Sequence, residues 1–389
     1  MTAVDAISAG LTPDSDAGLT PGVEFVVRDA TLADNRELIA LAAACAMKGD
    51  MSMRIDRRPD FFALNRLEGD KWRVGVAEVS GQVVGCIAAS ERLAFVNGDR
   101  MRIGYVGDFK VHPQHRNSVI ADALSHYAAR AFPDLSPTAP LMITVLAGNR
   151  AMERRLSGPR GVAAFTRIGT IRTHSIPILG RRRPANAGTI RIDNARWSDL
   201  ESMTTLWEKV APARQLAPPL TPDAVVDFIR RAPGLDISSY MIARSAAGEM
   251  LGFLAAWDQR SFKQLTVIGY SPRMRLARLA FNALATVAGA ERLPRTGASL
   301  NCSTITHLCV PFHRPEVLRE LVTAAYGAVR LRGCSVLNVG LDLRDPLSEA
   351  LGGMYAQPTD VNAYVTPSRS GVKSEQLDSR PLHYEIALV

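Results

Sequence analysis

Residues 102–132, RIGYVGDFKVHPQHRNSVIADALSHYAARAF, join a β-prone run to an amphipathic helix through one short polar turn. The apolar run spans 103–111. His112, Pro113, Gln114, His115 and Arg116 make the turn, and Val119, Ala123, Leu124, Tyr127 and Ala131 recur at three- and four-residue steps from a helix start near Ser118. A strand that runs straight into a helix N-terminus predicts an anion site, because the first helical N–H groups have no partner within the helix. Arg116 adds a guanidinium there, whose fork geometry suits phosphate. The pattern alone leaves open an ordinary strand–turn–helix corner with a solvated basic loop.

Upstream, 23–28 reads as a short strand, and Asp34 as the cap of a helix with Leu38, Ile39, Leu41, Ala42 and Cys45 on one face. Residues 47–58 are basic and rich in methionine, and read either as a solvated loop between helices or as a segment that shapes the acceptor pocket. Segments 72–79 and 83–90 alternate around Ser80-Gly81-Gln82 and predict an antiparallel hairpin. Residues 101–111 continue the sheet, and 141–146 (LMITVL) form the next strand, parallel to it through a right-handed crossover. A helix opens near Asn149, and 170–179 closes the first half.

After a linker at 181–188, the same order of elements restarts. Strand 189–192, helices from 197 and 221, hairpin 240–256, strand 298–310, helix 316–330, strand 336–341, a short helix 346–354 and a final strand 382–388 are expected. The second turn, PFHRPEVLREL, lacks glycine, and Glu316 at its helix start repels an anion. An insertion, 257–293, carries Arg260, Lys263, Arg273, Arg275 and Arg278. It is read as a brace between the halves, with docking of an acidic partner as the other option. The domain reading is a flexible tail at 1–22, a first domain at 23–180 and a second, degenerate copy at 189–389.

The chain has 389 residues, 46 Lys+Arg and 38 Asp+Glu, for a net charge of +8. An anionic partner fits, but no run of basic residues interleaved with aromatics points to nucleic acid. The five cysteines are odd in number, and no C-x-x-C pair occurs, so neither a zinc site nor a disulfide framework is expected. His112 and His115 have no ligand companions at metal spacing. No apolar run is long enough for a membrane span, and the acidic N-terminal stretch is no signal peptide, so a cytoplasmic location is expected.

Val111-His112-Pro113 followed by Arg116-Asn117-Ser118-Val119-Ile120-Ala121 resembles the signature of the GCN5-related N-acetyltransferase (GNAT) superfamily. The resemblance implies an α/β protein with a mixed sheet, here two tandem GNAT-like domains, the second degenerate. It implies that the loop amides of 116–121 hold the pyrophosphate of coenzyme A, and that Phe109, Lys110 and Val111 bind the pantetheine arm. Asn149 matches the asparagine that faces that arm. Val119 replaces the family's usual glycine, and no tyrosine lies between Asn149 and Gly169, where the family has a general acid. Asp108 is the candidate proton acceptor and Tyr105 a second catalytic candidate.

The implied activity is N-acyl transfer from acetyl-CoA or a longer acyl-CoA to a primary amine of a small molecule or peptide, with no metal. The departures leave open a longer fatty acyl donor carried by an acyl carrier protein. A silent binding or regulatory module, and a homodimer, also remain open.

Overall fold

The computed structural model describes residues 24–116, 119–131, 139–157, 165–183, 189–366 and 377–388. The expected tail, Asn117, Ser118 and linker residues 184–188 lie outside them. The first half contains β1 (Phe25–Asp29), α1 (Asn35–Ala44), β2 (Met51–Asp56), β3 (Lys71–Val79), β4 (Gln82–Val96), β5 (Asp99–Val111), α2 (Ile120–Arg130), β6 (Leu141–Leu146), α3 (Arg150–Ser157) and β7 (Thr166–Pro177). The second contains β8 (Ile190–Asn194), α4 (Leu200–Val210), α5 (Pro222–Arg231), β9 (Tyr240–Ser245), β10 (Met250–Trp257), β11 (Gln264–Tyr270), α6 (Pro272–Ala288), β12 (Ser299–Leu300), β13 (Cys302–Cys309), α7 (Pro315–Leu331), β14 (Val336–Asp342) and β15 (Gln357–Val365).

Local chemistry sets the turns. Ser80 and Gly81 (φ 49° and 78°), and Asn97 and Gly98 (φ 53° and 98°), take the left-handed backbone that tight hairpins need between twisted strands. Thr221 caps α5 by accepting from the Ala224 N–H, with Pro222 at the first helical position.

Twelve strands form one mixed sheet in the order β1-β3-β4-β5-β6-β15-β7-β14-β13-β10-β9-β8. Each half supplies five strands in matching order and then sends its last strand across. β15 lies between β6 and β7, and β7 lies between β15 and β14, both antiparallel to their neighbours. The halves are thus related by approximate twofold symmetry about the β15–β7 pair. Helix α2 lays Ile120, Leu124 and Ala128 on Ala77, Val84, Ile87, Val106 and Ile143. Its counterpart α7 lays Val317, Leu321, Val322 and Val329 on Leu254, Ala256, Ile305 and Val339.

Three expectations are corrected. The methionine-rich stretch is not a loop throughout, because its residues 51–56 form β2. β2 pairs with β11 from the 257–293 insertion, in a separate three-stranded sheet with β12. The two halves are therefore linked by strand pairing rather than by the insertion's helix. That helix, α6, buries only Ala285 and exposes Leu276, Leu279, Leu284 and Val287. Finally, 382–388 is not a strand: Leu382 makes a single bridge to Gln215, and Ile386–Leu388 is a 3-10 turn. The last strand is β15.

Candidate functional site

β5 and β6 run parallel but pair only over Gly104–Leu141, Tyr105–Met142 and Val106–Ile143. Beyond that they part. From Gly107 to Val111, β5 stays bonded to β4 on one edge and, among the described residues, has no strand beside it on the other. At the parting point the β4–β5 register slips, so that Ile87 faces both Asp108 and Phe109, and Asp108 takes φ 48°. A wedge-shaped gap therefore opens through the sheet, between its two faces.

The α2/α3 face of the gap is apolar. Val106, Phe109, Ile143, Met152, Leu156 and Phe165 are among the residues lining a cavity of about 540 Å³, part of it open to solvent. At the wide end, β5 leads to the start of α2. Val119 there makes no side-chain cap, and is about half exposed, as Arg116 is also exposed. Ile120 buries its side chain completely and Ala121 partly. Anion contacts at these positions would therefore come from backbone. Asp122 in the same first turn is paired with Arg155, which offsets its charge. Asn149 is exposed and accepts from the Met152 N–H at 3.3 Å, capping α3.

The opposite face carries the ionisable groups. Asp108 is held from three sides, by Lys110 Nζ at 2.5 Å, Arg57 Nη1 at 3.1 Å and Asn65 Nδ2 at 3.1 Å. Burial pushes its carboxyl up. The cations of Lys110 and Arg57, with the Lys110 and Asn65 hydrogen bonds, outweigh that and hold it far below the usual carboxylate range. So held, Asp108 is a poor proton acceptor, and its place is structural. Tyr105 bonds Thr144 Oγ1 and the Tyr384 hydroxyl, both at 3.0 Å, and those two bond each other at 2.8 Å. Burial pushes the Tyr105 phenol well up and that of Tyr384 to about 12, so both stay protonated donors.

Beside this trio lies a smaller pocket of about 280 Å³, lined by Glu68, Arg92, Tyr105, Tyr384, Glu385 and Leu388. The Glu68 carboxylate makes no hydrogen bond or ion pair with any described residue. Burial first, then the charge of Asp108, raise it to about 8, against the smaller opposing pull of Arg57, Arg92 and Lys110. Sequence reasoning missed Glu68. It sits on a loop after a 3-10 turn with no motif around it, and only the fold brings it to the gap.

The second half repeats the geometry, but residues 382–386 cross its gap and leave a cavity of about 430 Å³, part of it open to solvent, beside Ile305, Thr306, Gly340 and Asp342. β13 and β14 pair from Cys302–Val336 to Thr304–Asn338 and then part, with a matching bulge at His307. In the crossing segment, Glu385 accepts from Thr306 Oγ1, the His307 N–H and His383 Nε2, and Ile386 packs on Gly340. Among the described residues no group of His, Cys, Asp and Glu is placed to hold a metal ion, and no helix is long and apolar enough to cross a membrane.

No protein-family model matches the sequence, and no curated protein matches it. Solved structures of similar fold include Saccharomyces cerevisiae N-myristoyltransferase with bound myristoyl-CoA, with a TM-score of 0.60 at 11% identity over 94% of this chain and 90% of that one. A GCN5-related N-acetyltransferase from Sphaerobacter thermophilus gives 0.55 at 14% identity, over 90% and 97% of the two chains. A GCN5-related glucosamine N-acetyltransferase region of a fungal multi-domain β-N-acetylglucosaminidase gives 0.58 at 13%, over 91% of this chain and 39% of that one.

Proposed function

On a tandem fold of the GCN5-related N-acetyltransferase type, we propose that this chain is an N-acyltransferase, moving an acyl group from a CoA thioester to a primary amine. The observation that carries this reading is the gap between β5 and β6. It has an apolar cavity on one face and an unpaired, up-shifted carboxyl on the other. The diphosphate of CoA binds at the start of α2 and Arg116, and the pantetheine arm lies along the free edge of β5 from Phe109 to Val111. The thioester then reaches the parting point, and the acyl chain enters the apolar cavity. Similar structures include one with bound myristoyl-CoA, which supports a donor longer than acetyl.

The amine approaches from the Glu68 side. Glu68 takes its proton, nitrogen bonds to the thioester carbon, and the C–S bond breaks. The Tyr105–Thr144–Tyr384 hydroxyls, which stay protonated, provide the proton for the departing sulfur. Asn149 acts through its cap on α3, which forms one wall of the cavity. The second half contributes Tyr384 to the site, from the segment that crosses its own gap.

Thermal unfolding with CoA and with acyl-CoA tests the reading. Ligand that binds the folded state raises Tm by mass action. A rise of several degrees with acyl-CoA, lost in Arg116→Glu, is expected. No rise at millimolar ligand would overturn the donor assignment.

A further inference from the structure

Arg92 lines the small pocket, and the reaction described above makes no use of its charge. It projects from β4 opposite Ile103, and so lies on the same sheet face as Tyr105, two residues along. Its side chain is half-buried, and Nε is enclosed with no hydrogen-bond partner. No described residue forms an ion pair or hydrogen bond with its guanidinium. Other enclosed arginines are paired: Arg57 with Asp108, and Arg214 with Asp345. The two carboxylates that share the pocket act on Arg92 only through space. Glu385 is committed to Thr306, His307 and His383, and Glu68 forms no ion pair with it. A guanidinium partly withdrawn from water with no ion-pair partner is costly, and the cost falls when a ligand brings a carboxylate to its fork.

We infer that the acyl acceptor is an α-amino acid, with Arg92 binding its carboxylate and Glu68 facing its amine. This rests on the acyl-transfer reading and narrows it. The pocket is a small recess bounded by Glu68, Arg92, Tyr105, Tyr384, Glu385 and Leu388, which suits a small acceptor rather than a folded protein surface. Its charges have the right signs, a cation for the carboxylate and an acid–base group for the amine. Burial holds the Arg92 pKa down, with Glu68 opposing that, so a bound carboxylate would restore what burial takes.

The chemistry balances without another reactant. The acceptor ammonium gives one proton to Glu68, and its nitrogen bonds to the thioester carbonyl carbon. As the C–S bond breaks, the nitrogen's second proton passes to sulfur through the hydroxyl trio. The products are an N-acyl amino acid and free CoA thiol, and Glu68 returns its proton to water.

The test measures thiol release from lauroyl-CoA by the full chain with the twenty free amino acids. The amides of the best acceptors and 2-phenylethylamine serve as carboxylate-free controls. Free acids should exceed their amides at least tenfold in kcat/KM. Arg92→Gln should collapse that ratio through KM, Arg92→Lys should restore part of it, and the acyl-CoA thermal shift should persist in both. Amides turned over as well as acids by the unaltered chain would overturn the proposal. So would an acyl-CoA shift with no amino acid as acceptor, or an acid-to-amide ratio unchanged in Arg92→Gln. Absence of the acyl-CoA shift in the unaltered chain would instead overturn the donor reading.

Discussion

Asp108 and His307 hold equivalent positions in the two halves, each the left-handed residue (φ 48° and 49°) of the bulge where a pair of parallel strands begins to part. The chemistry around them differs. Asp108 is an anion held by Lys110, Arg57 and Asn65 beside an open gap. His307 is kept neutral by burial, bonded through Nδ1 to the Tyr240 hydroxyl at 2.6 Å, beside a gap crossed by residues 382–386. One bulge thus borders an open gap and the other a gap crossed by the chain itself.

Asp108→Asn keeps a residue that tolerates the left-handed backbone and removes only the charge. Arg57 and Lys110 would then be left enclosed without their anion, a loss of about 3 kcal/mol measured by urea unfolding at neutral pH. Because the Asp108 pKa is depressed in the folded state, its contribution is present above the unfolded carboxylate value and is lost as pH falls. The variant and parent should therefore converge in stability in acid. Equal stability at neutral pH would show that the ion pairs contribute nothing.

Glu68 should set the pH profile. Its ionised form is the acceptor and its pKa lies at about 8, so kcat/KM rises as pH increases through that value. Lys263, drawn down to about 8 by burial, titrates in the same range. Substitution separates them: Glu68→Gln should lower kcat by about 100-fold and abolish the rising limb, whereas Lys263→Gln should retain it. A limb that survives in Glu68→Gln would assign the proton to another group.

These assignments show where the sequence was readable. The run from Tyr105 through Arg116 to Tyr127 carried its own signals, alternation followed by helical periodicity, and strand, turn and helix formed there. The repeated order of elements was legible for the same reason. The exchange of β7 and β15 was not, because each pairs with strands about 160–220 residues away and no local pattern encodes that partner. β15 opens QPTDV, whose proline and aspartate break the alternation that marks a strand. Leu382, Tyr384 and Ile386 alternate like a strand, yet they cross a gap between strands. Glu68 and Arg92 were invisible because their chemistry comes from burial and missing partners, which exist only once the halves meet.

The apolar cavity predicts a donor series. Each methylene buried there is worth about 0.8 kcal/mol, so affinity for acyl-CoA should climb about fourfold per added carbon until the space is full. Ala129, buried on α2 at the cavity wall, offers the place to shorten it. Ala129→Phe should move the preferred chain to shorter lengths while short donors still bind. Chain-length preference that stays the same in this variant would place the acyl group elsewhere.

The crossing segment in the second half has its own test. A Cβ on Gly340 would lie 2.6 Å from Cγ2 and 3.0 Å from Cγ1 of Ile386. Ile386 is β-branched and stiff at χ1, so it cannot swing aside freely, and the C-terminal segment would have to shift. That segment also places Tyr384 in the hydroxyl trio and Glu385 under the His307 bulge, so the disturbance reaches the first half's site. Gly340→Ala should cost about 2 kcal/mol of stability and lower kcat, although residue 340 touches neither cavity wall of the first half. Adding Ile386→Ala removes the clash and should recover part of both losses, which makes the coupling between the two changes the measured quantity. Strictly additive effects on stability and kcat would mean that the segment's seat on Gly340 does not position Tyr384.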